Sequence, residues 1–539
     1  MLLELGREAN GMTNMMRRTR AFGWLGTGVL ALTGCSARDV CLPSGYLPRT
    51  AGPADQVSAG ALAIVPATPT AAPPKPGEKS TFDLPPALPG AGAPAIVPPK
   101  FTPTMPATER DKATQQAYPA LQPVSAAIPV ASPEAMTLAQ FQEIALANSP
   151  VIRRAKADSD AAYGQVIQAG LYPNPNVGYQ ADQVQPSLRI PPGNTGSGAG
   201  QQGGFINQLI KTAGKLSLNQ QVAGFDYINA LVDVRKAEIA VTTAVRSAYF
   251  TALVAQQSLE VNKSLADLAD EVYRLQLKQV AVGQAAGYEP LQLYAQAVQA
   301  RNALAQAEAT YKAAWRQVAA AAGQPTLPLA PLCGRADVSP PPFLEGGLKD
   351  RMLEQHTDLL SVRNTMAQAQ TNLVLQKRMP IPDLQTSTYQ QYDNAAQTYQ
   401  FGVQIGVQLP VHDRNQGNIR SAQAKIASAG QQLRATENDL IGRLAEAYGR
   451  YESSTRIVTN YRDEVLPSLS RAYRSLVRRY QVEPDKVSFN DIVVAQQNLG
   501  QALQSYLQAL DSQWRAVVDL ANLGQLDELY PAPPPEIKK

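Results

Sequence analysis

The chain has 539 residues, 44% hydrophobic and 17% charged, with a formal net charge of +4. Near-balanced charge excludes a nucleic-acid surface as the organising feature, and two histidines leave little material for imidazole-based metal or acid–base chemistry. The 42 prolines are spread unevenly, most of the excess falling before Ala135, so a proline-rich front precedes a helix-competent remainder.

At the amino terminus, Arg17, Arg18 and Arg20 form a basic region. The apolar stretch Ala21 to Leu32 is too short to span a membrane as a helix, and Leu32, Thr33, Gly34 and Cys35 follow at once. That order resembles a bacterial lipoprotein signal, residues 1–34, whose Cys35 becomes the first residue and the site of lipid attachment, by acyl chains such as palmitate. Residues before Met12 look like no signal region, which leaves Met12 or Met15 as an alternative start. Ser36 is compatible with delivery to the outer membrane. From residue 35 to 134 the chain is rich in Ala, Pro and small polar residues, and is expected to be a disordered tether unable to bury enough apolar surface to fold. Cys41 and Cys333 are the remaining thiols, and spacing alone leaves both a pair and two free thiols open.

Beyond the tether the chain states one pattern twice, in residues 135–335 and 336–528, with a disordered tail over 529–539. The first copy runs from Ala147, Asn148, Ser149 and Pro150 to Pro173 and Pro175. The second runs from Gln355 and His356 to Pro380 and Pro382. Val241, Val245, Ala248 and Tyr249 have counterparts in Leu440, Leu444, Ala447 and Tyr448, and Ala295-Gln296 in Ala495-Gln496. The unit is a strand hairpin, a very long helix and a returning helix.

In the first copy, Asn176–Val184 and Phe205–Ile210 are expected as strands. Lys215 to Val282 reads as one helix with an early interruption at Gly224, its length on the order of 100 Å at about 1.5 Å per residue. Its apolar stripe passes through Val241, Val245, Ala252 and Leu259 at spacings that define one helical face. In the second copy Phe401 to Leu409 alternates strictly: Phe401, Val403, Ile405, Val407 and Leu409 on one side, Gly402, Gln404, Gly406 and Gln408 on the other. That is the length and pattern of a tilted strand with lipid outside and water inside. Leu384–Asp393 is its partner, through a turn at residues 394–398. Four strands cannot close a barrel, for which about eight is the minimum, and open edges are not tolerated in lipid. Several chains must then share one barrel.

These residues resemble the TolC-type outer-membrane efflux factor family, and more closely its lipoprotein and heavy-metal branches, over about Ala135 to Leu526. The carriers are the Ala147–Pro150 motif, Phe205 to Lys215, Leu409 to Ile419, Asp463 to Pro467, and Ala521 to Gly524. The resemblance implies a mainly α fold with a transmembrane β-barrel. Three chains would form twelve strands continuous with a twelve-helix periplasmic tunnel. The expected function is the exit duct of a tripartite efflux pump, passing small molecules or metal ions outward, with a periplasmic adaptor and an inner-membrane pump of RND or another type as partners. The alternative is a lipid-anchored periplasmic coiled-coil scaffold or adaptor without channel activity.

The same resemblance places the tip of the tunnel at the two helical turns. Gly283, Glu483 and Ser488 are the adaptor-docking candidates, Glu483 standing where the family usually has glycine. Asp491 falls where relatives carry an aperture carboxylate, Val494 stands where a second acid would be, and Glu289 and Asp485 are neighbouring acids with weaker claims. Three copies of Asp491 would make an anionic ring; a solvated helix-surface carboxylate is the other reading. Neither His356 nor His412 has a Cys or second His at metal-ligand spacing, and the glycines between Gly193 and Gly204 lack the Lys-Ser or Lys-Thr of a phosphate loop. No catalytic residue, resident metal or cofactor is expected.

Overall fold

A computed structural model describes residues 99–102, 105–123, 135–184, 199–394, 396–483 and 487–529. The signal, Cys35, Cys41, Asp485, the loop at 185–198 and the segment from 530 lie outside the described residues. After α1 (Ala107–Ala117), the first repeat comprises α2 (Leu138–Asn148), α3 (Pro150–Gly170), β1 (Asn176–Val184), β2 (Ala199–Ile210), α4 (Lys215–Val282) and α5 (Glu289–Ala321). The second comprises α6 (Glu345–Gln355), α7 (Thr357–Arg378), β3 (Leu384–Asp393), β4 (Thr398–Val407), α8 (Gln416–Asn460), a π-helical turn at Tyr461–Val465, α9 (Leu466–Val482) and α10 (Phe489–Leu523).

Local chemistry sets these boundaries. Thr137 caps α2 in a capping box with Gln140, and α3 begins at Pro150, which cannot continue the preceding helix but suits a first helical position. In the second copy His356 takes the corresponding place, its Nδ1 accepting the Asp358 N–H at 3.2 Å as the cap of α7. Both long helices start from a left-handed residue, Gly214 in one and Asn415 in the other, two residue types that tolerate that conformation. Helix α4 passes through Gly224 without the expected interruption: tertiary packing along its length outweighs the cost of about 1 kcal/mol for an internal glycine.

The shorter helices cover the long ones in halves. Helix α3 lies on the strand-side half of α4, where Tyr163 meets Tyr227 at 5.3 Å, and α5 returns along the other half. Helices α7 and α10 flank α8 and α9 in the same way and also touch α4. The repeat positions read from sequence carry the core. Val245 and Tyr249 join Phe141, Trp315 and Trp514 in the larger cluster, while Leu440, Leu444 and Ala447 join Leu359, Met352 and Leu520 in its counterpart. Phe250 stacks on Trp514 at 4.0 Å and 6°, and the indole N–H donates to Ala336 O at 2.7 Å. Buried Arg246 donates to the carbonyls of Leu526 and Asp527, tying the end of the second repeat to the first.

Part of the expected tether is ordered. Helix α1 is polar and has no apolar stripe; what holds it is the segment just after it. Tyr118 is buried and donates to Gly287 O at 2.8 Å, while Tyr273 donates to Pro119 O at 2.7 Å and Leu121 packs against the cluster that holds Val272, Tyr273, Leu293 and Val493. Averaging composition over residues 35–134 concealed a short piece with two aromatic-to-backbone contacts.

Where helices hand over to strands, the repeats interlock. Asp383 accepts from Lys211 Nζ at 3.0 Å, Lys215 Nζ at 2.8 Å and the Thr212 N–H at 3.0 Å. Burial pushes its carboxyl up, but the bonds from Lys215, Thr212 and Lys211 outweigh it and hold the pKa at about 2. Lys215 is 4% exposed, so its ammonium depends on this partner. Asp383→Asn is expected to cost about 2 kcal/mol, below the value for a fully buried pair because Asp383 keeps some water. A depressed native pKa supplies stability above the unfolded value and loses it as pH falls through about 2. The wild-type advantage over Asp383→Asn in thermal unfolding should therefore be constant above about pH 5 and shrink below about pH 4.

Candidate functional site

The two helical turns lie at the end of the bundle remote from the sheet. Their neighbourhood is a small core of Val272, Tyr273, Leu293 and Val493, with Leu121 and Phe489 against it, which brings α4, α5, α10 and the segment after α1 together. In the first turn Gly283 has φ 81°; its N–H donates to Val280 O and that of Gln284 to Gln279 O, a Schellman cap. Nothing lies within 4 Å of where its Cβ would be, so the need for glycine there is conformational and not steric. The second turn closes differently. Glu483 ends α9 at φ −134°, donates its N–H to Arg479 O at 2.7 Å and carries an ion pair to Arg479 at 3.7 Å.

Three expected site residues turn out to hold local structure. Glu289 accepts from the fully buried amide of Gln276, bracing the start of α5 against α4. Ser488 and Asp491 form a reciprocal capping box: the Ser488 hydroxyl accepts from the Asn490 N–H at 3.2 Å, and Asp491 Oδ2 accepts from the Ser488 N–H at 3.0 Å. Asp491 nevertheless remains exposed. Tyr480 joins the turns, touching Phe489 at 5.8 Å; burial and then the Glu289 charge push its phenol up.

At the other end, the strands form one antiparallel sheet in the order β1-β2-β3-β4. Its register gathers the large apolar side chains of β1 and β4 on one face, which β2 and β3 share through Ile206 but also through Gln202, Thr388 and Gln390. Val177, Tyr179, Ile206, Tyr399, Phe401, Val403, Ile405 and Val407 share one face and are each more than half exposed. The opposite face carries Asn176, Gln180, Asp182, Asn207, Ser387, Gln391, Asp393 and Gln404. There Gln391, only 6% exposed, donates to Asp182 at 3.3 Å, and Gln201 and Gln400 donate to Asp393, each at 3.1 Å. The sheet curls toward this polar side: a Cβ on Gly203 would stand 1.8 Å from Gln390 O. The apolar face is the bare one.

Sequence reasoning missed one element and misplaced the bounds of two strands. At Tyr461–Val465 the Leu466 N–H reaches back to Tyr461 O, a π-helical turn just before Pro467; a proline inside a helical pattern was the available signal. Strand β2 begins at Ala199, six residues before the expected start, because Gly200, Gly203 and Gly204 hide alternation. Strand β4 likewise runs Thr398–Val407 where Phe401–Leu409 was expected. His356 serves as a helix cap, burial pushing its imidazole pKa down, and Cys333 is exposed.

The capping geometry predicts that Asp491→Ala costs about 1 kcal/mol locally, with amide exchange over residues 489–493 about fivefold faster. Asp491→Asn retains an acceptor oxygen and should leave exchange near the wild-type rate.

The sequence profile of the outer membrane efflux protein family matches residues 142–324 and 348–524, one segment on each repeat. The chain is 24% identical over 394 residues to the cobalt-zinc-cadmium resistance protein CzcC of Cupriavidus metallidurans, covering 71% of this chain and 89% of that one. Its fold is similar to that of a membrane protein from Pseudomonas aeruginosa, with a TM-score of 0.62, 18% identity, and 75% and 97% of the two chains covered. It is similar also to outer membrane protein VceC of Vibrio cholerae, with a TM-score of 0.58, 18% identity, and 72% and 96% covered. With the matched segments falling on both copies of the helix–hairpin–long-helix unit, the chain belongs to the outer membrane efflux protein family.

Proposed function

We propose that this protein is the outer-membrane exit duct of a tripartite efflux pump. The observation that carries the reading is the two-faced sheet: a bare apolar face, a curled polar face, and two outer strands, β1 and β4, with no partner among the described residues. In lipid those edges must be paired, and four strands are too few to close on themselves. Three copies supply twelve strands, and the same symmetry arranges the paired long helices into a periplasmic tunnel of twelve.

The remaining parts follow from that assembly. Cys35 carries the lipid anchor. The two helical turns, with Gly283, Glu483 and Ser488, meet a periplasmic adaptor, which connects the duct to an inner-membrane pump of RND or another type. The duct makes and breaks no covalent bond, and the pump supplies the energy. The name of the relative CzcC points to divalent metal ions among the cargoes, alongside small molecules. Asp491, exposed at the turn and repeated three times about the axis, contributes an anionic ring at the aperture.

Native mass spectrometry of protein expressed with its own signal and extracted from outer membranes tests the assembly. A trimer whose subunits begin at Cys35 and carry acyl mass is expected. A water-soluble monomer or dimer would overturn the reading in favour of a lipid-anchored scaffold. For the aperture, Asp491→Asn should weaken block by divalent cations added on the helical side in planar bilayers; unchanged block removes the ring.

A further inference from the structure

One row on the polar face of the sheet does not fit its surroundings. Gly178 pairs with Phe205, Phe205 with Tyr389, and Tyr389 with Gly402, so two aromatic rings flanked by glycines cross all four strands. In each hairpin a ring faces a glycine. A Cβ on Gly178 would stand 2.5 Å from Phe205 Cζ, and one on Gly402 would stand 2.1 Å from Tyr389 Cζ. Both rings therefore lie along the wall, in space that a side chain on the neighbouring strand would otherwise fill, and they lean away from each other. Gly203 in the next row differs, since a side chain there would meet backbone. The flanking glycines accommodate rings; Gly203 accommodates curvature.

An apolar ring on a water-facing wall is disfavoured unless something uses it, and a ring face attracts cations and other rings. Two rows further toward the strand turns, on the same face, stand Asp182 and Asp393, each fixed by glutamine side chains. We infer that the Gly178–Phe205–Tyr389–Gly402 row is a solute-selecting belt of the barrel, a π-lined surface for bulky organic cations, with Asp182 and Asp393 drawing cations toward it. The inference rests on the barrel reading above, in which three copies place six rings around the lumen.

The test is single-channel recording of the full-length protein in planar bilayers, with tetrabutylammonium added on the strand-turn side. Phe205→Ala with Tyr389→Ala is expected to weaken tetrabutylammonium block about tenfold, with K⁺ conductance no lower than wild type. Gly402→Val meets only the far end of the Tyr389 side chain and no backbone, so the sheet tolerates it. It should swing Tyr389 off the wall and lower K⁺ conductance, and adding Tyr389→Ala should restore it. Equal block in wild type and the double-alanine variant would overturn the belt, as would a Gly402→Val conductance that Tyr389→Ala leaves unrestored. A wild-type trimer that never conducts would overturn the channel reading itself, a result distinct from either.

Discussion

Backbone hydrogen bonding at the edges of the sheet is the constraint to which the rest of this molecule answers. Each unpaired N–H or C=O in a hydrocarbon environment costs several kcal/mol, about the whole stability margin of an ordinary domain when a few are left open. In the proposed membrane setting, a four-stranded sheet with a bare apolar face therefore requires copies of itself. In the proposed assembly, strands shared between chains would bring the attached helices into a ring whose extent their length would fix. The chain supplies that length by excluding proline between Pro192 and Pro290, so α4 runs 68 residues without a break.

The junction between the two regimes has to hold a strand direction against a helix direction. Asp383 does this with three donors from the first repeat, and Arg378 adds a bond to Ala213 O at 3.1 Å. On the second copy, Asn415 donates to Gln376 O at 2.9 Å. Both junctions link the last turn of α7, or the residues just after it, to the start of a long helix, but only the first uses buried charge. Charge gives directionality here because Lys215 is 4% exposed and no water replaces a lost partner.

Legibility from sequence followed the strength of the local signal. The limits of α4 were readable because glycines with left-handed backbone stand on both sides of it, and those of β1 and β3 because prolines precede them. The core positions Val241, Val245, Leu440 and Leu444 were readable from period and from repetition. The order in residues 105–123 was not, because it rests on Tyr118 and Tyr273 meeting backbone carbonyls 169 and 154 residues away in the chain. The capping roles of Ser488 and Asp491 were written in their spacing, which also suits a free carboxylate; only the bonds decide that both roles fall on one side chain.

Duplication made the two helical hairpins alike in outline and unlike in mechanics. The first turn is closed by a Schellman cap, braced by Gln276 on Glu289, and covered by Tyr118. Its partner ends α9 without a left-handed residue, and above it the helix carries a π-helical turn and Pro467, two of the usual causes of a bend. Helix α9 also has no buried residue, whereas α5 buries ten along its length. Of the two hairpins, the second therefore carries the features that permit a bend, at Tyr461–Pro467, and the first is the one held by its packing.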